Sequence, residues 1–361
     1  MKAVQFFALL SVVLCVTSCK SGNVDLHAVR AYALTAEAAR ESFDAIAADY
    51  DASCLRAREY QVLPADALGA PQVPQSPAAL RDSPDAGDPD GLAPLPAPAV
   101  ATTTTTTVNA FFPKARTHES CIALAQPQKY PVGLVSAEWR KADDALLAFV
   151  QGIGKIANVG TPPKPTGKLS SALVDARAMT TAQATAINGL RRAIADFFIR
   201  HRQQQSIGAF LNAVDPRFPE ARDALLGVAR AYRNVIDAEC NVKDSFFERS
   251  LASVRDRYLV PMPAAAAKSD ENAALATLYS EQYVVHRIRS EWATANAACR
   301  THLDSVASYV ATVERIAATE ADLFRNLKHP GSVDIGADAN DLNDAVDGLH
   351  SLLFPQSGKK R

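Results

Sequence analysis

Apolar residues recur at helical spacing along this chain, and they do so over long stretches. Between Asp25 and Val62, Val29, Ala36, Phe43, Tyr50 and Ala57 repeat every seven residues, with Tyr32, Ala39, Ile46 and Tyr60 between them. Positions three and four apart share one face of an α-helix, so these residues form a single apolar stripe. A second stripe opens at Leu134 and runs through Val135, Trp139, Ala142, Leu146, Phe149, Ile153 and Ile156 to a stop at Gly160 and Pro162-Pro163-Lys164-Pro165. The pattern predicts a third helix over about 169–211, with Leu173, Ile187, Leu190, Ile194 and Phe197 inward, and a tight turn at Asp215-Pro216 and Phe218-Pro219. A fourth helix runs to about Tyr258 through Leu225, Val228, Tyr232, Ile236 and Phe247. The fifth starts near Ser269 and places Leu278, Val285, Trp292, Cys299, Val306, Val313 and Leu327 at heptad spacing before His329-Pro330-Gly331 ends it. A short last helix covers about 338–353. No stretch alternates with the period of two that a strand requires. The expected fold is all-α, an elongated antiparallel bundle of about five long helices plus a short C-terminal helix, because short connections turn each helix back on its predecessor.

Composition interrupts this pattern once. Residues 64–132 are rich in Pro, Ala, Asp and Gly and contain an unbroken threonine run from Thr102 to Thr107. Such a segment buries too little apolar surface to offset its ordering entropy, so it is expected to be a disordered insertion or linker. The Thr run beside Pro-rich sequence resembles O-glycosylated low-complexity segments. Residues 133–354 then complete the bundle, and 355–361 form a short basic tail. Hydrophobic residues make up 48% of the 361 and aromatics only 7%; much of the apolar content is alanine, which favours close helix packing. A net charge of −1 offers no electrostatic case for nucleic acid as a partner.

The first residues carry the most specific signal. Lys2 precedes an apolar run from Val4 to Val16, too short for a membrane span and suited to a signal-peptide core over residues 1–18. It ends in Val16-Thr17-Ser18-Cys19, which resembles the lipobox of bacterial lipoproteins, although that motif prefers Leu first and Gly or Ala before the cysteine. The resemblance implies lipidation of Cys19, and Lys20 after it implies sorting to the outer membrane. It covers only these residues. The membrane is thus an expected partner through the N-terminal lipid, and more than one acyl chain gives stable anchoring.

Beyond Cys19, the mature chain carries Cys54, Cys121, Cys240 and Cys299. An even number in an oxidising compartment points to two disulfides. The sequential pairing, Cys54–Cys121 with Cys240–Cys299, would close the Pro-rich insertion and staple the fourth helix to the fifth. The crossed pairing, Cys54–Cys299 with Cys121–Cys240, is the alternative, because a turn at Pro261-Met262-Pro263 sets Cys240 and Cys299 at different depths. Spacing alone leaves both open.

The remaining motifs are weak. Cys299 and His302 lie on one helical face, but no second Cys/His cluster follows at metal-ligand spacing, so no metal is expected. Gly152-Ile153-Gly154-Lys155 lacks the strand before and the Ser or Thr after that a phosphate loop needs. Trp139 and Trp292 read as core fillers. With no nucleophile elbow and no convincing inward carboxylate pair, neither a catalytic role nor a cofactor is expected. The function expected is that of a non-enzymatic envelope lipoprotein, a helical scaffold or protein-interaction module on the periplasmic side of the outer membrane or at the cell surface. A protein partner or self-association belongs to that expectation. A periplasmic small-ligand-binding bundle and an envelope hydrolase are the alternatives.

Overall fold

The computed structural model describes residues 25–63, 120–159, 163, 167–200, 206–258 and 271–355. The signal peptide, Cys19, residues 64–119 and the basic end at 356–361 lie outside the described residues. Regular structure among the described residues is entirely helical, so the fold is all-α. In chain order the helices are α1 (Leu26–Val62), α2 (Ile122–Ala125), α3 (Leu134–Ile156), α4 (Ala172–Asp175), α5 (Thr181–Arg200), α6 (Ile207–Val214), α7 (Phe218–Tyr258), α8 (Glu271–Lys328) and α9 (Ile335–Leu353), with a 3₁₀ turn at Asp215–Arg217. At 1.5 Å per residue the 58 residues of α8 reach about 87 Å.

Each long helix buries the stripe that its sequence marks. Val29, Tyr32, Ala36, Ala39, Phe43, Ile46 and Tyr50 of α1 are all buried, as are Val306, Tyr309, Val313, Ile316 and Leu323 of α8. Cross-helix contacts fix the directions. Arg30 of α1 donates to the Ala157 carbonyl after α3, and Arg40 pairs with Asp144, so α1 and α3 are antiparallel. Tyr32 donates to the Ile316 carbonyl while Asp49 meets His302, so α8 also runs against α1. By contrast α7 runs with α1: Tyr232 reaches Asp49, Glu239 reaches Ser53, and Phe246 packs on Tyr60.

Two expectations about the middle of the chain are corrected. The third helix is not continuous over 169–211. Arg177 takes a positive φ of 55°, a left-handed conformation that ends a helix. Thr180 then starts α5 with a reciprocal cap, accepting from the Gln183 N–H at 3.2 Å while its own N–H donates to Gln183 Oε1 at 2.8 Å. Ser206 caps α6 afresh by accepting from the Ala209 N–H at 3.2 Å. Successive helices are also not antiparallel throughout. Glu138 near the start of α3 accepts from the Ser170 N–H, Leu169 bonds Asn188 of α5, and Phe149 and Phe197, late in α3 and α5, both pack on Phe210. The two helices therefore run in the same sense.

Smaller differences concern the ends. α3 stops at Ala157, and Asn158 takes φ 66°, before Gly160 is reached. α9 begins at Ile335, three residues earlier than its apolar spacing indicates, because the Asp334 side chain accepts from the Gly336 and Ala337 N–H groups. Residues 120–132, read as part of a disordered insertion, are built onto the core. Cys121, Ile122 and Tyr130 are buried, and the Tyr130 hydroxyl donates to Asp175 at 2.5 Å.

Candidate functional site

The densest polar chemistry lies where α1, α7 and α8 meet. Arg56 of α1 reaches Asp49, one face down its own helix, with Nη1 to Oδ1 at 2.7 Å, and reaches Glu239 of α7 with Nε to Oε1 at 2.7 Å. Glu239 is 1% exposed and also accepts from Ser53 and from Lys243, itself buried. On the other side, Asp49 accepts from the Tyr232 hydroxyl and from His302 Nδ1 of α8 at 3.1 Å. Both oxygens of both carboxylates are therefore occupied.

Electrostatics follow from that geometry. Burial pushes the Asp49 and Glu239 carboxyls up, but hydrogen bonds from His302 and Arg56 hold Asp49 well below the usual carboxylate range. Arg56, Lys243 and Ser53 likewise bring Glu239 down. Burial lowers Arg56, yet its two carboxylate partners outweigh that and keep it protonated. The Tyr232 hydroxyl is raised, first by burial and then by the Asp49 charge beside it, so it stays neutral and donates. A cluster saturated in this way is a lock between three helices. Every carboxylate oxygen in it is engaged by at least one donor.

An aromatic column fills the bundle directly beneath. Trp139 packs against Tyr50, Tyr232 and Tyr309, and Phe43 leans on Tyr309 at 4.9 Å. The Trp139 indole N–H donates to the Tyr309 hydroxyl at 3.1 Å, which in turn donates to Asp143 Oδ1 at 2.6 Å. Asp143 is 2% exposed with Oδ2 unpartnered, and burial pushes its carboxyl well above the ordinary range.

Above the lock, α7 and α8 continue as a pair with their own small core of Phe246, Phe247, Val254, Val284 and Ile288, against which Tyr60 near the end of α1 packs. α7 runs eleven residues past Phe247, about 17 Å. Trp292 stacks on Phe247 and donates from Nε1 to Asp244 at 2.6 Å, so it is a half-buried clamp between α7 and α8 while Trp139 is fully buried. Tyr283 on this projection is 71% exposed.

The cysteines are joined in the sequential pairing. Cys54 and Cys121 have Cα atoms 5.7 Å apart and Cys240 and Cys299 6.0 Å. Cys240–Cys299 sits immediately beside Glu239 and a turn from His302, binding α7 to α8 at the base of the projection. Cys299 is thus committed to a bridge and His302 to Asp49, and no group of three His, Cys, Asp or Glu among the described residues is arranged to hold a metal ion. The lipidation residue, Cys19, lies outside the described residues. Gly152 and Gly154 serve packing: a Cβ on Gly152 would come 2.5 Å from Phe210 Cζ, and one on Gly154 2.7 Å from the Ala33 Cβ.

Sequence reasoning missed the lock. A usable signal was present, since Ser53 and Arg56 flank Cys54 just as Glu239 and Lys243 flank Cys240. Charged residues beside two bridged cysteines are placed where chains meet.

Fold and site together define an all-α protein whose helices are locked by charge and by disulfides. No family model, curated protein or solved structure matches the chain. No helix among the described residues is long and apolar enough to cross a membrane.

Proposed function

We propose that this chain is a non-enzymatic envelope lipoprotein, anchored through Cys19 to the outer membrane, whose helices hold a protein-interaction surface away from the bilayer. We read its architecture as an elongated bundle of five long helices, α1, α3, α5, α7 and α8, with α9 as the short C-terminal one. The carrying observation is the placement of the α7–α8 projection. α1 begins seven residues after Cys19 and rises about 51 Å from Leu26 to Tyr60, which packs at the base of that projection. Leu26 and the projection therefore lie at opposite ends of α1. A lipid at Cys19 would leave the α7–α8 tip facing outward from the membrane. The lock and Cys240–Cys299 stiffen the base of the projection, as a spacer requires.

The test is labelling with radioactive palmitate in cells, compared with Cys19→Ser, followed by photocrosslinking from position 283. Label lost in Cys19→Ser and one discrete adduct from position 283 are expected. Absence of label, or only uncrosslinked monomer, would overturn the anchor or the interaction surface respectively. The ligand-binding alternative is weakened by the aromatic column of Trp139, Tyr50, Tyr232 and Tyr309, which occupies the bundle interior.

A further inference from the structure

We infer that the notch between α5 and the 3₁₀ turn is a binding site for a phosphate monoester. The notch is a cavity of about 270 Å³. Gly189, Arg192, Asp196 and Arg200 line it from one face of α5, and Arg217 reaches in from the 3₁₀ turn, over a floor that includes Phe197. Three guanidiniums thus face one carboxylate, leaving a net charge of +2 on the lining. That carboxylate is weakly engaged, with Asp196 Oδ2 at 3.8 Å from Arg200 and both side chains exposed. Arg192 and Arg217 have no ion-pair partner among the described residues. Like charges held together unpaired repel, and an oxyanion between them relieves that repulsion. Guanidinium matches phosphate oxygens in bidentate geometry better than any other side chain, and a monoester carries a charge of about −1.5 to −2 that balances this lining.

The site also has a built seat. Arg217 lies flat across Gly189, where a Cβ would come 2.9 Å from its Cδ and 3.0 Å from its Nε. Glycine inside a helix is less favourable than alanine. At Gly189 that cost leaves room for the Arg217 side chain to lie in the notch. Gly189 is accordingly a positioning residue, and Arg192 and Arg217 are the ligand contacts.

Calorimetric titration of the purified full-length protein at low salt tests this, with glycerol 3-phosphate standing for a free ester and dihexanoyl phosphatidic acid for a lipid headgroup. Binding at one site is expected. Arg192→Ala and Arg217→Ala should each weaken it by about tenfold or more, as loss of a charge-assisted hydrogen bond does. Gly189→Ala should weaken it severalfold while leaving the melting temperature unchanged or raised, a combination that a purely structural glycine would not give. Comparable binding of both probes assigns the site to the phosphate alone, and preference for the lipid assigns it to a headgroup. If neither probe binds, or Arg192→Ala/Arg217→Ala binds as tightly as the natural chain, the proposal is wrong.

Discussion

Arg56 Nε meets Glu239 Oε1 at 2.7 Å across the seam between α1 and α7, and Lys243 holds the same oxygen from the other side. Removing the carboxylate strands the buried Lys243 ammonium and takes one of the two partners of Arg56, and losses of this kind run to about 3–5 kcal/mol. Glu239→Ala should lower unfolding stability by that amount in urea. Glu239→Leu combined with Lys243→Met should cost less than Glu239→Ala alone, since the buried ammonium leaves with its partner and Arg56 keeps Asp49. A double variant as damaged as the single one would show that charge compensation is not what holds the junction.

Tyr309 stands between a donor and an acid. Tyr309→Phe removes the hydroxyl that accepts from Trp139 and donates to Asp143, leaving both without it in a dry core. A buried polar group left unpaired costs about 1–3 kcal/mol. Asp143→Asn should cost less, because burial disfavours the charged carboxylate there and Oδ2 already lacks a partner. Thermal unfolding of the two variants checks the order.

The carboxylates set opposing pH responses. Asp49 and Glu239 are held below their unfolded values near 4, so their contribution is present above about pH 4 and is lost as pH falls below it. Glu320 is the reverse. Burial and then the nearby Asp215 raise it to about 7, and its Oε1 is unpartnered. The folded chain therefore binds more protons than the unfolded one between about pH 4.3 and 7, and stability declines across that window. Glu320→Gln should flatten this decline and unfold later than the natural chain at pH 8. An unchanged slope between pH 5 and 7 would rule Glu320 out as its source.

Glycines in the bundle divide by what a methyl would meet. Gly152→Ala drives a Cβ into the buried Phe210 ring, and Gly154→Ala drives one onto Ala33, where α1 and α3 approach closely. Overpacking of this kind costs about 1–3 kcal/mol. Gly208→Ala meets only the Leu327 methyls at 3.8 and 3.9 Å and should be neutral or stabilising. Chemical denaturation of the three variants separates the two classes.

Much of the fold was legible in the sequence because its helices are long and their stripes repeat without interruption. Val29 through Tyr50 and Val306 through Leu323 needed only the period of the α-helix. The break at Arg177 was not legible, since a left-handed arginine carries no residue-type signal of the kind glycine does. The parallel run of α3 and α5 escaped because Ser170 meets Glu138 near the start of α3, a return that a short-connection rule does not foresee. The lock was hidden for a different reason. Glu239 and Lys243 four residues apart read as an ordinary solvated helix pair, and only the arrival of Arg56 from α1 turns them inward. The cysteine pairing needed three dimensions, whereas the presence of two bridges did not.

Cys54, in the last third of α1, and Cys121, at the start of the segment that carries Ile122 and Tyr130, have Cα atoms 5.7 Å apart. A sequence separation of 67 residues is thereby closed by one covalent bond. A reductant that opened this one bond would release Ile122 and Tyr130 from their covalent hold on α1 and leave their burial to packing alone.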